Sequence, residues 1–218
     1  MSKKVAVVLS GCGVFDGAEI YESVITLLRL DQAGAEVQCF APDIEQMHVV
    51  NHLTGEVAEG ERRNVLVEAA RIVRGEIKSL VEANAEDFDA LIVPGGFGAA
   101  KNLSDFAVNG SSLKVNEDFQ TLVKAMHGAG KPVGLVCIAP AMSGVLFGEG
   151  VQCTIGNDAD TAAAIDATGA HHRNCAVEDI CVDEANKLVT TPAYMLANRI
   201  GEAVTGINKL VDKVLEMV

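Results

Sequence analysis

Lys131-Pro132-Val133-Gly134-Leu135-Val136-Cys137-Ile138-Ala139-Pro140 decides how this chain is read. The apolar run from Val133 to Val136 has the character of a short, fully buried strand. It ends at a cysteine followed by Ile-Ala-Pro, where such a strand turns sharply into a helix. A residue on that kind of turn is pushed toward a strained backbone conformation, and its side chain projects from the carboxyl end of the sheet. A thiol there is reachable by a substrate. The competing reading is a small buried apolar residue, because free cysteine is among the most buried residue types. The rest of the chain has to decide between them.

Moving outward, three more β-branched runs occur, Val5 to Leu9, Ala35 to Phe40 and Ala90 to Val93, and they alternate with amphipathic segments. That grammar predicts an α/β fold with a mostly parallel sheet. A first helix is expected over Ala18 to Ala33, where Ile20, Val24, Leu27, Leu28 and Ala33 recur at helical spacing and Gly34 stops the run. Further helices are expected over Arg62 to Arg74, Glu117 to Ala129 and Ala193 to Val218. Val151 to Thr191 reads as short strands around one helix, Ala159 to Thr168.

Composition sets limits on function. With 218 residues, 49% of them hydrophobic, and only five prolines, the chain is expected to form a single domain over 1–218 with a full core. A formal net charge of −13 argues against nucleic acid and anionic membranes as partners. No apolar run approaches the ~20 residues that span a bilayer. The start, Met1 to Cys12, mimics a lipoprotein signal with Leu9-Ser10-Gly11-Cys12, but its apolar core is too short and reads better as a strand, so a cytoplasmic location is expected. Six cysteines without a Cys-x-x-Cys pair suggest neither a disulfide framework nor structural zinc. His171 and His172 lie near Cys175, yet adjacent residues of a strand point apart, so no metal site is expected.

Loops at the carboxyl ends of parallel strands are where such sheets bind ligands. Ser10 to Gly17 contains Gly11, Gly13 and Gly17, which miss the dinucleotide-binding spacing, and no ribose-binding acid ends the second strand. Pro94-Gly95-Gly96-Phe97-Gly98-Ala99-Ala100-Lys101 follows a strand, and its paired glycines let backbone N–H groups approach an oxyanion. The third loop is the Cys137 turn.

Taken with Glu19 and Glu22 on the first helix, these loops resemble the class I glutamine amidotransferase-like superfamily in its PfpI branch. Ser10-Gly11-Cys12-Gly13-Val14, Asn51-His52-Leu53-Thr54-Gly55-Glu56, Pro94 to Ser104, Cys137-Ile138-Ala139-Pro140-Ala141 and Thr190-Thr191-Pro192-Ala193-Tyr194-Met195 together are similar to the enhancing lycopene biosynthesis (ElbB-type) proteins across essentially the whole chain. The resemblance implies a three-layer, flavodoxin-like sandwich with a nucleophile elbow at Cys137. It implies Glu22 as the thiol-contacting carboxylate, backbone donors at Gly95 and Gly96, and a homodimer. Glu19, one helical turn before Glu22, is expected to face the same pocket, and Cys12 to line it if the first strand ends near the Cys137 strand.

Departures from the superfamily restrict the chemistry. Thr190-Thr191-Pro192-Ala193 lacks the late His and Glu of glutaminases, Ile138 stands where protease-like members carry His, and Thr154 and Ile155 supply no imidazole. A glutaminase or protease is therefore not expected. A thiol with a carboxyl partner suits an unhindered, electrophilic carbonyl, and a cofactor-independent glyoxalase acting on glyoxal or methylglyoxal, with possible deglycase activity, is the expected function. The alternatives are a cysteine-based redox sensor and an accessory protein of isoprenoid biosynthesis. His52 is expected in a lid-like insertion, and His127 at a helix end where a cation suits the dipole.

Overall fold

A computed structural model describes residues 2–218. In chain order its first half contains β1 (Lys4–Val8), α1 (Ile20–Gln32), β2 (Glu36–Ala41), β3 (Val50–Asn51), β4 (Glu56–Val57), α2 (Val65–Ala69), β5 (Ile77–Ser79), β6 (Ala90–Val93), α3 (Phe97–Lys101) and α4 (Phe106–Asn109). The second half contains α5 (Glu117–Gly128), β7 (Val133–Val136), α6 (Ser143–Phe147), β8 (Gln152–Cys153), α7 (Ala159–Asp166), β9 (His171–His172), β10 (Cys181–Asp183), β11 (Leu188–Thr191) and α8 (Ile200–Glu216).

Seven strands form one sheet in the order β10-β11-β7-β6-β1-β2-β5. All its pairings are parallel except β10 with β11. Helices cover both faces, which is why β6 and β7 are buried throughout and carry uninterrupted apolar runs. Leu91, Val93, Val133 and Leu135 pack toward Phe119, Leu122, Val123 and Met126 of α5. The alternate residues Ala90, Ile92 and Val136 face Ile207, Leu210, Val211 and Val214 of α8. Gly134 belongs to this second face: a Cβ there would lie 2.8 Å from Leu210 Cδ2, so its absence lets α8 sit close to the sheet.

The α/β three-layer architecture follows the expected grammar, with strand ends shifted by one residue at β1 and β2 and unchanged at β6 and β7. Three helical expectations need correction. The segment Arg62 to Arg74 is helical only over Val65–Ala69; beyond it Arg71 N–H and Ile72 N–H donate to Glu68 O and Ala69 O in three-residue turns, and Arg74 and Gly75, at φ 57° and 90°, turn the chain into β5. The last helix begins at Ile200 rather than Ala193, since Ala193 has φ 44° and Arg199 is extended. In α1 most of the expected apolar face is turned outward, although Leu27 packs against the core. Ile20, Val24 and Leu28 are 43%, 47% and 52% exposed, whereas Glu22, Ser23 and Thr26 are buried. The helix is held in this rotation at its start, where Glu19 N–H donates to Gly95 O at 2.9 Å, and near its end, where Arg29 pairs with Asp212 of α8.

Candidate active site at Cys137

Cys137 follows β7 directly and has φ 63°, a left-handed conformation that costs a side-chain-bearing residue roughly 1–2 kcal/mol. Its N–H donates to Thr191 O at 2.9 Å, which extends the β7–β11 pairing through the turn. The chain then enters a 3-10 turn over Ala139–Met142, with Pro140 in its first positions, before α6. Gly95 at the end of β6 allows this elbow to exist. A Cβ on Gly95 would lie 2.3 Å from Cys137 Cβ and 2.8 Å from Glu22 Oε2.

Glu22 is fully buried beside the thiol. Its Oε2 accepts from Gly95 N–H at 2.9 Å and its Oε1 from Tyr194 N–H at 3.2 Å. The Cys137 thiol lies beside the same carboxyl, since a Cβ on Gly95 would meet both Cys137 Cβ and Glu22 Oε2, and each group shifts the other's proton affinity. Burial and then the nearby charge of Glu19 push the Glu22 pKa up to about 8, against the opposing pull of these donors. Burial, followed by the Glu22 charge, also holds the Cys137 thiol well above its usual range, although the N–H groups of Gly96 and Ile138 favour the thiolate. The resting site therefore keeps its proton on sulfur. The carboxyl beside it is a base whose pKa lies close to neutral pH.

Glu19 is also buried, but its role differs from the expected one. It caps α1, with Oε2 accepting from Glu22 N–H at 2.7 Å, and burial raises its pKa. It holds the Glu22 backbone and, like Glu22 itself, is not part of the lining of the cleft above Cys137. Gly95 likewise acts indirectly, because its N–H is taken by Glu22 and is not free to meet a substrate oxyanion. The Gly96 N–H faces the Cys137 sulfur. Gly96 has φ 91°, and a Cβ there would come within 2.4 Å of Glu19 N and Gly17 O.

The cleft over Cys137 has a volume of about 390 Å³ and is lined by Val14, Gly96, Phe97, Ala100, Phe106, Ala107, Ile138, Thr161, Tyr194 and Met195. A slightly larger cleft of about 440 Å³, between Leu80 and Lys131, sits near the amino ends of β6 and β7 and is lined by no cysteine. Ligand sites of parallel sheets lie at the opposite, carboxyl edge. Thiol, strained backbone and buried carboxyl converge only at the Cys137 cleft among the described residues.

Cys12 does not join them. β6 lies between β1 and β7 in the sheet, so the two strand ends are not neighbours, and Cys12 instead feels the charges of Glu68, Arg71 and Asp16. His52 belongs to the β3–β4 hairpin, which packs on the first loop. His52 Nδ1 lies 3.0 Å from Val50 O, which only accepts, so Nδ1 carries the hydrogen. Its Nε2 then accepts from Phe15 N–H at 3.2 Å. This imidazole does not line the Cys137 cleft either. His172 Nε2 accepts from Ile155 N–H at 3.2 Å, and the His127 ring stands edge-on to Phe147. Among the described residues no cluster of three or more His, Cys, Asp or Glu side chains could hold a metal ion.

Two features were not anticipated from the residues. Ala193, at φ 44°, is a second strained position, and it aims the next N–H, that of Tyr194, at Glu22. The hairpin is anchored through buried Asp16, whose Oδ2 accepts from Val50 N–H at 2.7 Å. Backbone donors leave no mark on residue type, so neither role was visible in composition or spacing.

A doubly covered parallel sheet with a cysteine on a strained elbow and a buried helix carboxyl beneath it defines a class I glutamine amidotransferase-like protein. Within that class the chain belongs to the DJ-1/PfpI family, whose model matches residues 3–197. It is 50% identical over 223 residues to the human protein called glutamine amidotransferase-like class 1 domain-containing protein 3, mitochondrial, covering 98% of this chain and 83% of that one. It is 35% identical over 207 residues to ES1 protein, mitochondrial, of Danio rerio, covering 88% and 76%. A crystal structure from Ehrlichia chaffeensis, described as an isoprenoid biosynthesis protein with an amidotransferase-like domain, superposes with TM-score 0.93 at 35% identity and 99% coverage of both chains. Drosophila melanogaster DJ-1beta shares the fold at TM-score 0.59 and 18% identity, covering 100% of this chain and 96% of that one.

The relatives overturn the expected cytoplasmic location, since the curated proteins at 50%, 49% and 35% identity are all named mitochondrial. The expectation rested on apolar run length. That quantity reports on membrane spans and short signal cores, and it does not record the compartment in which a fold of this kind resides.

Proposed function

We propose that this protein is an ElbB-type member of the family and a cofactor-independent glyoxalase-type enzyme that converts small 2-oxoaldehydes to 2-hydroxy acids. The observation that carries this reading is the buried Glu22 carboxyl packed beside the Cys137 thiol, with no imidazole lining the cleft. The Ehrlichia chaffeensis structure, through its description, supports the ElbB-type assignment.

In the reaction, Cys137 Sγ attacks the aldehyde carbon while Glu22 takes the thiol proton and passes it to the new alkoxide, giving a hemithioacetal. Glu22 then removes the hydrogen from that carbon and returns it to the neighbouring carbon through an enediol, leaving the thioester of a 2-hydroxy acid. Water cleaves the thioester and restores the thiol. Glyoxal plus water thus becomes glycolate, and methylglyoxal becomes lactate, with no external oxidant. The Gly96 and Ile138 N–H groups favour negative charge on sulfur as it leaves and attacks.

The raised thiol pKa favours turnover over a resting redox sensor. A sensor needs a standing thiolate, whereas here the proton leaves sulfur only as the carbonyl is attacked. The expected result is that Cys137→Ala and Glu22→Gln each abolish glyoxal consumption while circular dichroism stays that of the wild type. Full activity in Cys137→Ala would overturn the mechanism. For assembly, a homodimer through the outward apolar face of α1 is proposed, because Ile20, Tyr21, Val24 and Leu28 form an uncharged surface on a chain of net charge −13.

A further inference from the structure

Glyoxal leaves most of the Cys137 cleft empty. A volume of about 390 Å³ falls in the roughly 300–1,000 Å³ range of sites that enclose drug-sized molecules, and glyoxal has four heavy atoms. The walls are as telling as the size. No charged side chain lines the cleft, and only Thr161 and Tyr194 bring hydroxyl groups to it. Phe97 stands in the wall 47% exposed, an aromatic ring outside the core with the Lys101 ammonium over its face. Phe106 and Met195 are half-buried in the same wall. Two carbonyl oxygens of a bare dialdehyde would find few partners on such a surface, and a phosphorylated or ionic substrate would find no charged side chain in the lining, the nearest cation being Lys101, whose Nζ stands 5.4 Å over the Phe97 ring and donates to Phe15 O.

Resting on the glyoxalase-type reading, we propose that the cleft selects aldehydes with an uncharged apolar tail, the carbonyl lying at Cys137 and the tail against Phe97, Phe106 and Met195. The substrate class is a 2-oxoaldehyde with an alkyl chain of several carbons. Each methylene moved from water onto such a wall contributes a factor of roughly four in affinity.

Two measurements test this. The first compares kcat/KM for methylglyoxal and 2-oxohexanal, which differ by three methylenes. The longer substrate should be favoured at least tenfold. Ala107→Trp, at an exposed cleft position, should lower kcat/KM for 2-oxohexanal at least tenfold more than for methylglyoxal. Equal kcat/KM for the two substrates, or an equal loss for both in the variant, would overturn the proposal. The second measurement does not depend on turnover: protection of Cys137 by 2-hexanone and by acetone from iodoacetamide, followed over hours because the resting thiol is protonated and alkylates slowly, read by peptide mass spectrometry. Half-protection by 2-hexanone should need at least tenfold less ketone than by acetone, and equal concentrations would count against the apolar subsite. A protein that consumes neither aldehyde yet shows this protection pattern would refute the glyoxalase reading and leave the subsite standing.

Discussion

The backbone N–H of Tyr194 donates to Glu22 Oε1 at 3.2 Å, joining residues 172 positions apart in the chain. With the Gly95 N–H on Oε2, it gives each oxygen of a fully buried carboxyl one fixed donor. The carboxyl is thereby aimed at the Cys137 thiol without a second side chain to orient it.

This arrangement makes stability depend on pH in a set direction. The Glu22 pKa rises from the usual carboxylate value when unfolded to about 8 when folded, so between those values the native state keeps a proton that the unfolded state has released. Stability is full below the unfolded pKa. It falls as pH rises toward 8, by at most about 1.4 kcal/mol per pH unit. Glu22→Gln should lack this slope. At pH 5 the variant should also be less stable by about 1–3 kcal/mol, because one amide oxygen cannot accept from two opposed N–H groups. Urea unfolding at a series of pH values measures both effects, and parallel curves for the two proteins would contradict the assignment.

Turnover should move with pH in the opposite sense. If ionised Glu22 takes the thiol proton, kcat/KM for glyoxal rises with pH and levels off above an apparent pKa near 8. A flat profile between pH 6 and 9 would remove Glu22 from the proton-transfer step.

Strain at the elbow predicts an ordering of variants. Cys137→Ala keeps a Cβ at φ 63°, whereas Cys137→Gly relieves about 1–2 kcal/mol and loses about 0.5–1 kcal/mol to chain entropy. The glycine variant should therefore be the more stable inactive protein, by up to about 1.5 kcal/mol in denaturant unfolding.

Two glycine-to-alanine changes should diverge. Gly95→Ala forces a methyl into Cys137 Cβ and the Glu22 carboxyl, and should both destabilise the protein and abolish turnover. Gly128→Ala, at the end of α5 with nothing within 4 Å of the added Cβ, should stabilise by up to about 1 kcal/mol and leave turnover unchanged. Thermal unfolding and glyoxal consumption of the pair separate site packing from a general intolerance of substitution.

The outward face of α1 gives a test of assembly. Val24→Glu or Leu28→Glu places a charge on a surface already 47% or 52% exposed, so the monomer fold should be kept. Light scattering should show a dimer for the wild type and a monomer for either variant. An unchanged mass would move the interface elsewhere.

The four apolar runs of the central sheet were legible because a strand buried on both faces writes its environment into consecutive residues, as Ala90–Val93 and Val133–Val136 do. The Cys137 elbow was legible for the same reason, since the end of such a run marks the edge of the sheet. The orientation of α1 was not. Ile20, Val24 and Leu28 carry helical periodicity toward solvent, and Glu22 is buried only because the β6 loop, the elbow and the end of β11 converge on it. Cys12 was misplaced because strand order is a property of the whole sheet, and β6 inserts between β1 and β7. Sequence by itself determined the α/β class through local burial patterns, and through motif resemblance it singled out Cys137 and Glu22, which the fold places side by side. Tertiary structure decided which donors hold that carboxyl, which glycines are obligatory and what lines the cleft, since these depend on backbone groups and distances between segments far apart in the chain.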